Sequence, residues 1–171
     1  MYNINKKEDA LKEVQKYLAG IEYIERPPSP TGVYDDKTRE GVLMVQRKAG
    51  IPESGTVDIV TMELIYGEYL YYKTVDRARQ RSGGLDFPVS LGDSGDGIRA
   101  INDALIFLME YYGESHRIKR NSYFGEPSSR ASEYLSLLYG LDERSEIDEI
   151  LYMRMYEDVE AIKRINNFKE S

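Results

Sequence analysis

Apolar residues recur along this chain at helical spacing, in segments separated by glycine, proline or short polar turns. Leu11, Val14 and Leu18 fall at i, i+3 and i+7 and predict a first helix over Lys6–Ala19, stopped by Gly20. Pro27, Pro28 and Pro30 then forbid helix and predict a stiff, extended loop. A second helix is expected over Lys37–Ala49, burying Val42 and Val45, with Gly41 where another helix approaches. After the Pro52–Gly55 turn and a short extended step at Thr56–Val57, a third helix starts at Asp58 and runs past Tyr72 as far as Gln80. Ser82–Pro88 reads as a linker. Ile98, Ile101, Leu105 and Leu108 mark a fourth helix over Gly97–Tyr112. A fifth opens at Pro127, buries Ala131, Leu135 and Leu138, and stops at Gly140. The last spans Asp148–Phe168, with Ile150, Leu151, Met155, Val159 and Ile162 facing inward. The pattern is all-α.

Two helix starts share a spelling, Asp35-x-x-Thr38 and Asp58-x-x-Thr61, in which the Asp accepts hydrogen bonds from unpaired first-turn N–H groups. The chain also repeats. Laying residue n on n+90 pairs Gly50 with Gly140, Asp58 with Asp148 and Tyr66 with Tyr156. A shift of 87 pairs Leu11 with Ile98, Val14 with Ile101, Gln15 with Asn102 and Leu18 with Leu105. These registers predict two tandem three-helix modules, residues 1–81 and 82–171, the second degenerate.

Composition narrows the function classes. In 171 residues the net charge is −7, which disfavours nucleic acid and anionic lipid as partners. Arg77, Arg79 and Arg81 read as a solvated helix end. No run is long enough for a membrane span, and Met1–Asp9 shows no apolar signal core, so the expectation is a chain without a secretory leader. There is no Cys and no Trp, but there are 15 Tyr, whose flat apolar face and polar tip suit core edges and sugar contacts alike. Tyr66, Tyr69 and Tyr72 share one helix face; the expectation is that they pad the boundary between the two halves, with sugar stacking as the alternative.

Catalytic signatures fail on context. Gly92-Asp93-Ser94-Gly95 spells a serine-protease nucleophile, but the one histidine, His116, follows it and lies in a polar loop. That single His without Cys makes a zinc site improbable. Asp93–Gly97 is too short for an EF-hand loop, and no P-loop or dinucleotide fingerprint is present. The expectation is therefore no enzyme, no metal and no cofactor.

Three stretches together resemble a known family. They are Leu11-x-x-Val14-Gln15-x-x-Leu18, Gly32-x-Tyr34-Asp35-x-x-Thr38 through Val45-Gln46-x-x-x-Gly50, and Gly55-x-Val57-Asp58-x-x-Thr61-x-x-Leu64. Over residues 8–66 the chain is similar to the peptidoglycan-binding-like domain, a three-helix module attached to many bacterial cell-wall hydrolases. Residues 90–156 resemble it in a worn form, with Asn102, Ser136 and Leu151 where the first copy has Gln15, Gln46 and Thr61.

The resemblance implies non-catalytic recognition of bacterial peptidoglycan, through its glycan or its stem peptide. The implied site is a shallow groove beside the Gly32–Thr38 turn and the proline loop. Tyr23 and Tyr34 would stack on a sugar or cover a methyl group, and Asp35 and Thr38 would hydrogen-bond amides or carboxylates. Helix capping alone is the alternative for Asp35 and Thr38, and an internal hydrogen bond to loop backbone for Gln15 and Gln46. The rival function is a structural or adaptor protein that uses the same fold for a protein partner in a phage, spore or secretion assembly.

Overall fold

The computed structural model describes residues 7–115 and 117–169; Lys6 and His116, which enter the expectations above, lie outside them. Six α-helices follow one another: α1 (Lys7–Ala19), α2 (Asp36–Lys48), α3 (Ile59–Ser82), α4 (Asp96–Tyr111), α5 (Glu126–Leu138) and α6 (Glu149–Lys169). Among the described residues there are no strands, only two isolated antiparallel bridges, Val89 with Ile147 and Ser94 with Tyr123. The protein is all-α.

The chain forms two compact units, one ending at Lys73 and the next beginning at Thr74, within α3. In the first, the α1 stripe of Val14 and Leu18 closes on Val42 and Val45 of α2 and Ile65 of α3, with Ile21 and Ile24 from the intervening loop. Gly41 is buried in α2, where an added Cβ would sit 3.4 Å from both Leu18 methyls, so α1 and α2 approach closely there. Tyr17 of α1 lies 4.9 Å from the ring of Tyr69 and 5.2 Å from that of Tyr66, while Tyr72 meets Tyr23 at 6.0 Å. Tyr69 and Tyr72 therefore extend the first unit's own core outward, with Tyr66 exposed beside Tyr17.

In the second unit, Ile98, Ile101, Leu105 and Leu108 of α4 pack with Ala131 and Leu135 of α5 and Leu151, Met155, Val159 and Ile162 of α6. Ala78, on the last turns of α3, is buried in this core. Arg79 and Arg81 on either side of it reach Glu149 at 3.2 Å and Glu160 at 2.5 Å, so these exposed cations are ion-paired rather than simply solvated.

Another expectation is corrected. Leu138 is 46% exposed, because α5 ends there and the chain reverses through Gly140. Tyr139 and Leu141 pack against the core beyond it. At α4 the cap is Gly95, which offers no side chain; Asp96 is the first helical residue, where its charge complements the helix dipole.

Candidate functional site

The first unit is organised by two buried glutamines. Gln15 projects from α1 with no exposed surface. Its Nε2 donates to the Val33 carbonyl at 2.8 Å and to Thr38 Oγ1 at 2.9 Å, and its Oε1 accepts the Gly32 N–H at 2.9 Å. Thr38 then donates both its hydroxyl, at 2.5 Å, and its backbone N–H, at 2.9 Å, to the same oxygen of Asp35, Oδ1. With an amide nitrogen on one side and a carboxylate on the other, the direction of the hydroxyl proton is determined.

Gln46 repeats the arrangement one helix later. Its Oε1 accepts the Gly55 N–H at 2.9 Å, and its Nε2 reaches the Thr56 carbonyl, Thr61 Oγ1 and Ser54 Oγ, each at 3.1 Å. Asp58 caps α3 by accepting Thr61 N–H at 2.8 Å. Each carboxyl is held below its ordinary range by its Thr, through the hydroxyl first at Asp35 and the backbone N–H first at Asp58. Gly32 and Gly55, at φ +80° and +68°, occupy a region that residues with a Cβ avoid. An added Cβ at Gly32 would also lie 2.5 Å from Glu8 Cγ.

The second unit builds the first of these clamps with shorter side chains. Asn102, also without exposed surface, donates through Nδ2 to the carbonyls of Asn121 and Tyr123, both at 2.9 Å. Its Oδ1 accepts the Ser128 hydroxyl at 2.8 Å. The hydroxyl proton points the opposite way from that of Thr38, because the cap is Gly125 and there is no carboxylate to receive it. At the second junction Ser136 is too short to span the turn. It donates to Glu133 O and accepts Arg144 N–H at 3.2 Å, while the Arg144 guanidinium pairs with Asp148, which caps Leu151 N–H.

Of the four sequence-nominated residues, Asp35 and Thr38 are brought into direct contact, with Thr38 wholly buried and Asp35 at the surface. Tyr34 is partly exposed, and its hydroxyl donates to the Gly55 carbonyl, tying one clamped turn to the other. Burial raises its phenol above the ordinary value. Tyr23 sits elsewhere in the contact network: its ring meets Tyr72, and Lys48 Nζ lies 4.4 Å from its centroid. Its hydroxyl is buried without a hydrogen-bond partner among the described residues. Beside it, Ile24, Glu25 and Arg26 face Glu40 and Met44 of α2 across an open recess of about 340 Å³. The Tyr34–Gly55 tie is invisible in the sequence, since its partners are 21 residues apart and no local pattern links them.

Residues 7–65 match the family model described as “Putative peptidoglycan binding domain”. The match covers 59 of the 171 residues. The matched range contains both glutamine clamps and every buried apolar residue of the first core, from Val14 to Ile65. No curated protein and no solved structure matches the chain. The match supports a cell-wall-binding role in general. The described residues hold no cluster of metal-ligating side chains, and no described helix is long and apolar enough to cross a membrane.

Proposed function

We propose that the protein binds bacterial peptidoglycan without transforming it, and that Tyr34 and Asp35 form the contact surface of the first unit. The observation that carries this is the family match over residues 7–65, joined to the rigid presentation of residues 32–38 by Gln15. Asp35 is exposed with both Thr38 bonds on one oxygen. Tyr34 offers the edge of a ring fixed at its hydroxyl. Thr38 contributes by holding the carboxylate, and Tyr23 by packing its ring against Tyr72. Preorganised groups of this kind lose little entropy on binding. The two units are inferred to be tandem modules, on the strength of the Gln15 and Asn102 clamps, and a polymeric ligand engaged by both would gain through effective concentration.

The test is co-sedimentation of the full chain with purified cell-wall sacculi. Wild type is expected in the pellet, with Tyr34→Ala and Asp35→Ala shifted toward the supernatant. Wild type remaining in the supernatant at low salt overturns the proposal.

An adaptor role is the second reading, favoured by the apolar surface of α3 within the first unit. Ile59 is 79% exposed, and Tyr66, seven residues on and on the same stripe, is partly exposed. It replaces the first reading if sacculi fail to retain the protein.

A further inference from the structure

We propose that the second unit carries an anion-binding shelf between residues 117–123 and the start of α5, formed by Arg117, Lys119 and Arg130 beside Tyr123, with Arg120 in the same loop. In a chain of net charge −7, Arg117, Lys119 and Arg120 fall in one loop and Arg130 on α5. Among the described residues, Arg117, Lys119 and Arg120 have no carboxylate within ion-pair distance, and Arg130 is paired only with exposed Glu126, at 2.5 Å.

The shelf is a shaped surface. Two recesses adjoin each other and share Glu126 and Pro127. One, of about 290 Å³, is lined by Ser115, Arg117 and Arg130; the other, of about 280 Å³, by Lys119, Asn121 and Tyr123. The Tyr123 ring lies over Gly125, where an added Cβ would be 3.5 Å from Cε1, and the residue remains 49% exposed. Lys119 and the exposed Tyr123 thus share one recess while Arg117 and Arg130 line the adjoining one, an arrangement that suits an acidic group on an apolar or sugar scaffold.

The backbone beneath is pinned at four consecutive residues. Asn102 holds the carbonyls of Asn121 and Tyr123, Gly95 N–H donates to Ser122 O, and Phe124, fully buried, bonds Asp93 and Gly92 through its N–H and carbonyl. Arg117 adopts φ +52°, uncommon for a residue with a Cβ and concentrated at functional sites. A solvated polar loop needs neither feature. The anion would be held by side chains, because Ser128 and Ser129 N–H groups both donate to Gly125 O and Pro127 has none. Glu126 yields Arg130 readily to an incoming anion, since an exposed pair is weakly held.

That the occupant is an acidic group of the cell wall rests on the reading above; the shelf itself does not. The labelled full chain is titrated by NMR with muramyl dipeptide bearing a free carboxylate, with the same molecule amidated, and with inorganic phosphate. The free carboxylate is expected to shift the amides of residues 117–130 and the amidated form to leave them unmoved. Replacing Arg117, Lys119 and Arg120 together by Gln is expected to weaken the response about tenfold, with the rest of the spectrum unchanged. Phosphate acting where the dipeptide does not would support the shelf and make its occupant a phosphate group rather than a carboxylate. Equal shifts by the free and amidated forms, or no shift at 117–130 with any probe, overturns the proposal. If the shelf responds but wild type does not sediment with sacculi, the shelf stands and peptidoglycan binding falls.

Discussion

Gln15 and Thr38 stand 23 residues apart and share a 2.9 Å hydrogen bond in fully buried surroundings. Through that bond α1 dictates where α2 begins, since Gln15 also holds the Gly32 N–H and the Val33 carbonyl of the connecting turn. Replacing Gln15 by Leu keeps the bulk but leaves those groups without partners. The first unit is expected to lose about 2–4 kcal/mol, at about 1 kcal/mol for each of the hydrogen bonds to Gly32, Val33 and Thr38, with Gln46→Leu behaving alike. Urea unfolding followed by tyrosine fluorescence checks this, and a loss below about 0.5 kcal/mol would show the clamp to be dispensable.

The capping carboxylates predict how the first unit responds to acid. Asp35 and Asp58 are lowered in the folded state, each by its threonine. A depressed folded value means the stabilisation is present above the ordinary carboxylate range and is lost as pH falls through the lowered folded values. Stability is therefore expected to be flat near neutrality and to decline on acidification below about pH 4. In Asp35→Ala the decline should be shallower; an unchanged slope would remove Asp35 from the explanation.

Two glycines should respond oppositely to alanine. Gly67 lies within α3 with open space around it, so Gly67→Ala is expected to stabilise by about 0.5–1 kcal/mol. At Gly32 the positive φ and the approach to Glu8 make Gly32→Ala destabilising, by about 1–2 kcal/mol or more. Paired thermal melts decide the signs.

In the second unit, Tyr112 and Tyr139, at the ends of α4 and α5, both donate to Oδ2 of Asp158 on α6, at 2.5 and 2.8 Å. Burial and this shared carboxylate push both phenols far above their ordinary value. Each Tyr→Phe change is expected to cost about 1–2 kcal/mol. Because the two bonds share one acceptor, the double mutant should depart from additivity by at least about 0.5 kcal/mol. Strict additivity in a double-mutant cycle would show that the two bonds are independent.

Much of this was legible in the chain itself. Val14, Leu18, Val42, Val45 and Leu105 turned out buried because local periodicity alone assigns a helix face. Asp35 and Asp58 cap their helices because the interaction spans three residues. Leu138 obeys the same periodicity and is exposed, since the pattern does not say where the neighbouring helix stops. The loop after α4 read simply as polar; its signal was present in Arg117, Lys119 and Arg120, but the stapling that turns them into a surface comes from Asn102, well upstream.

The sequence by itself determined the six helices and the capping of α2 and α3 by Asp35 and Asp58, all set by interactions within a turn or two of chain. Only the tertiary structure decided the destinations of long-range polar groups. Gln46 spans a turn that Ser136 cannot, Tyr34 reaches Gly55, and Arg81 finds Glu160 across 79 residues. It also decided that α3 changes cores between Ile65 and Ala78. A helix's periodicity specifies which face is apolar; which core that face enters depends on what packs against it.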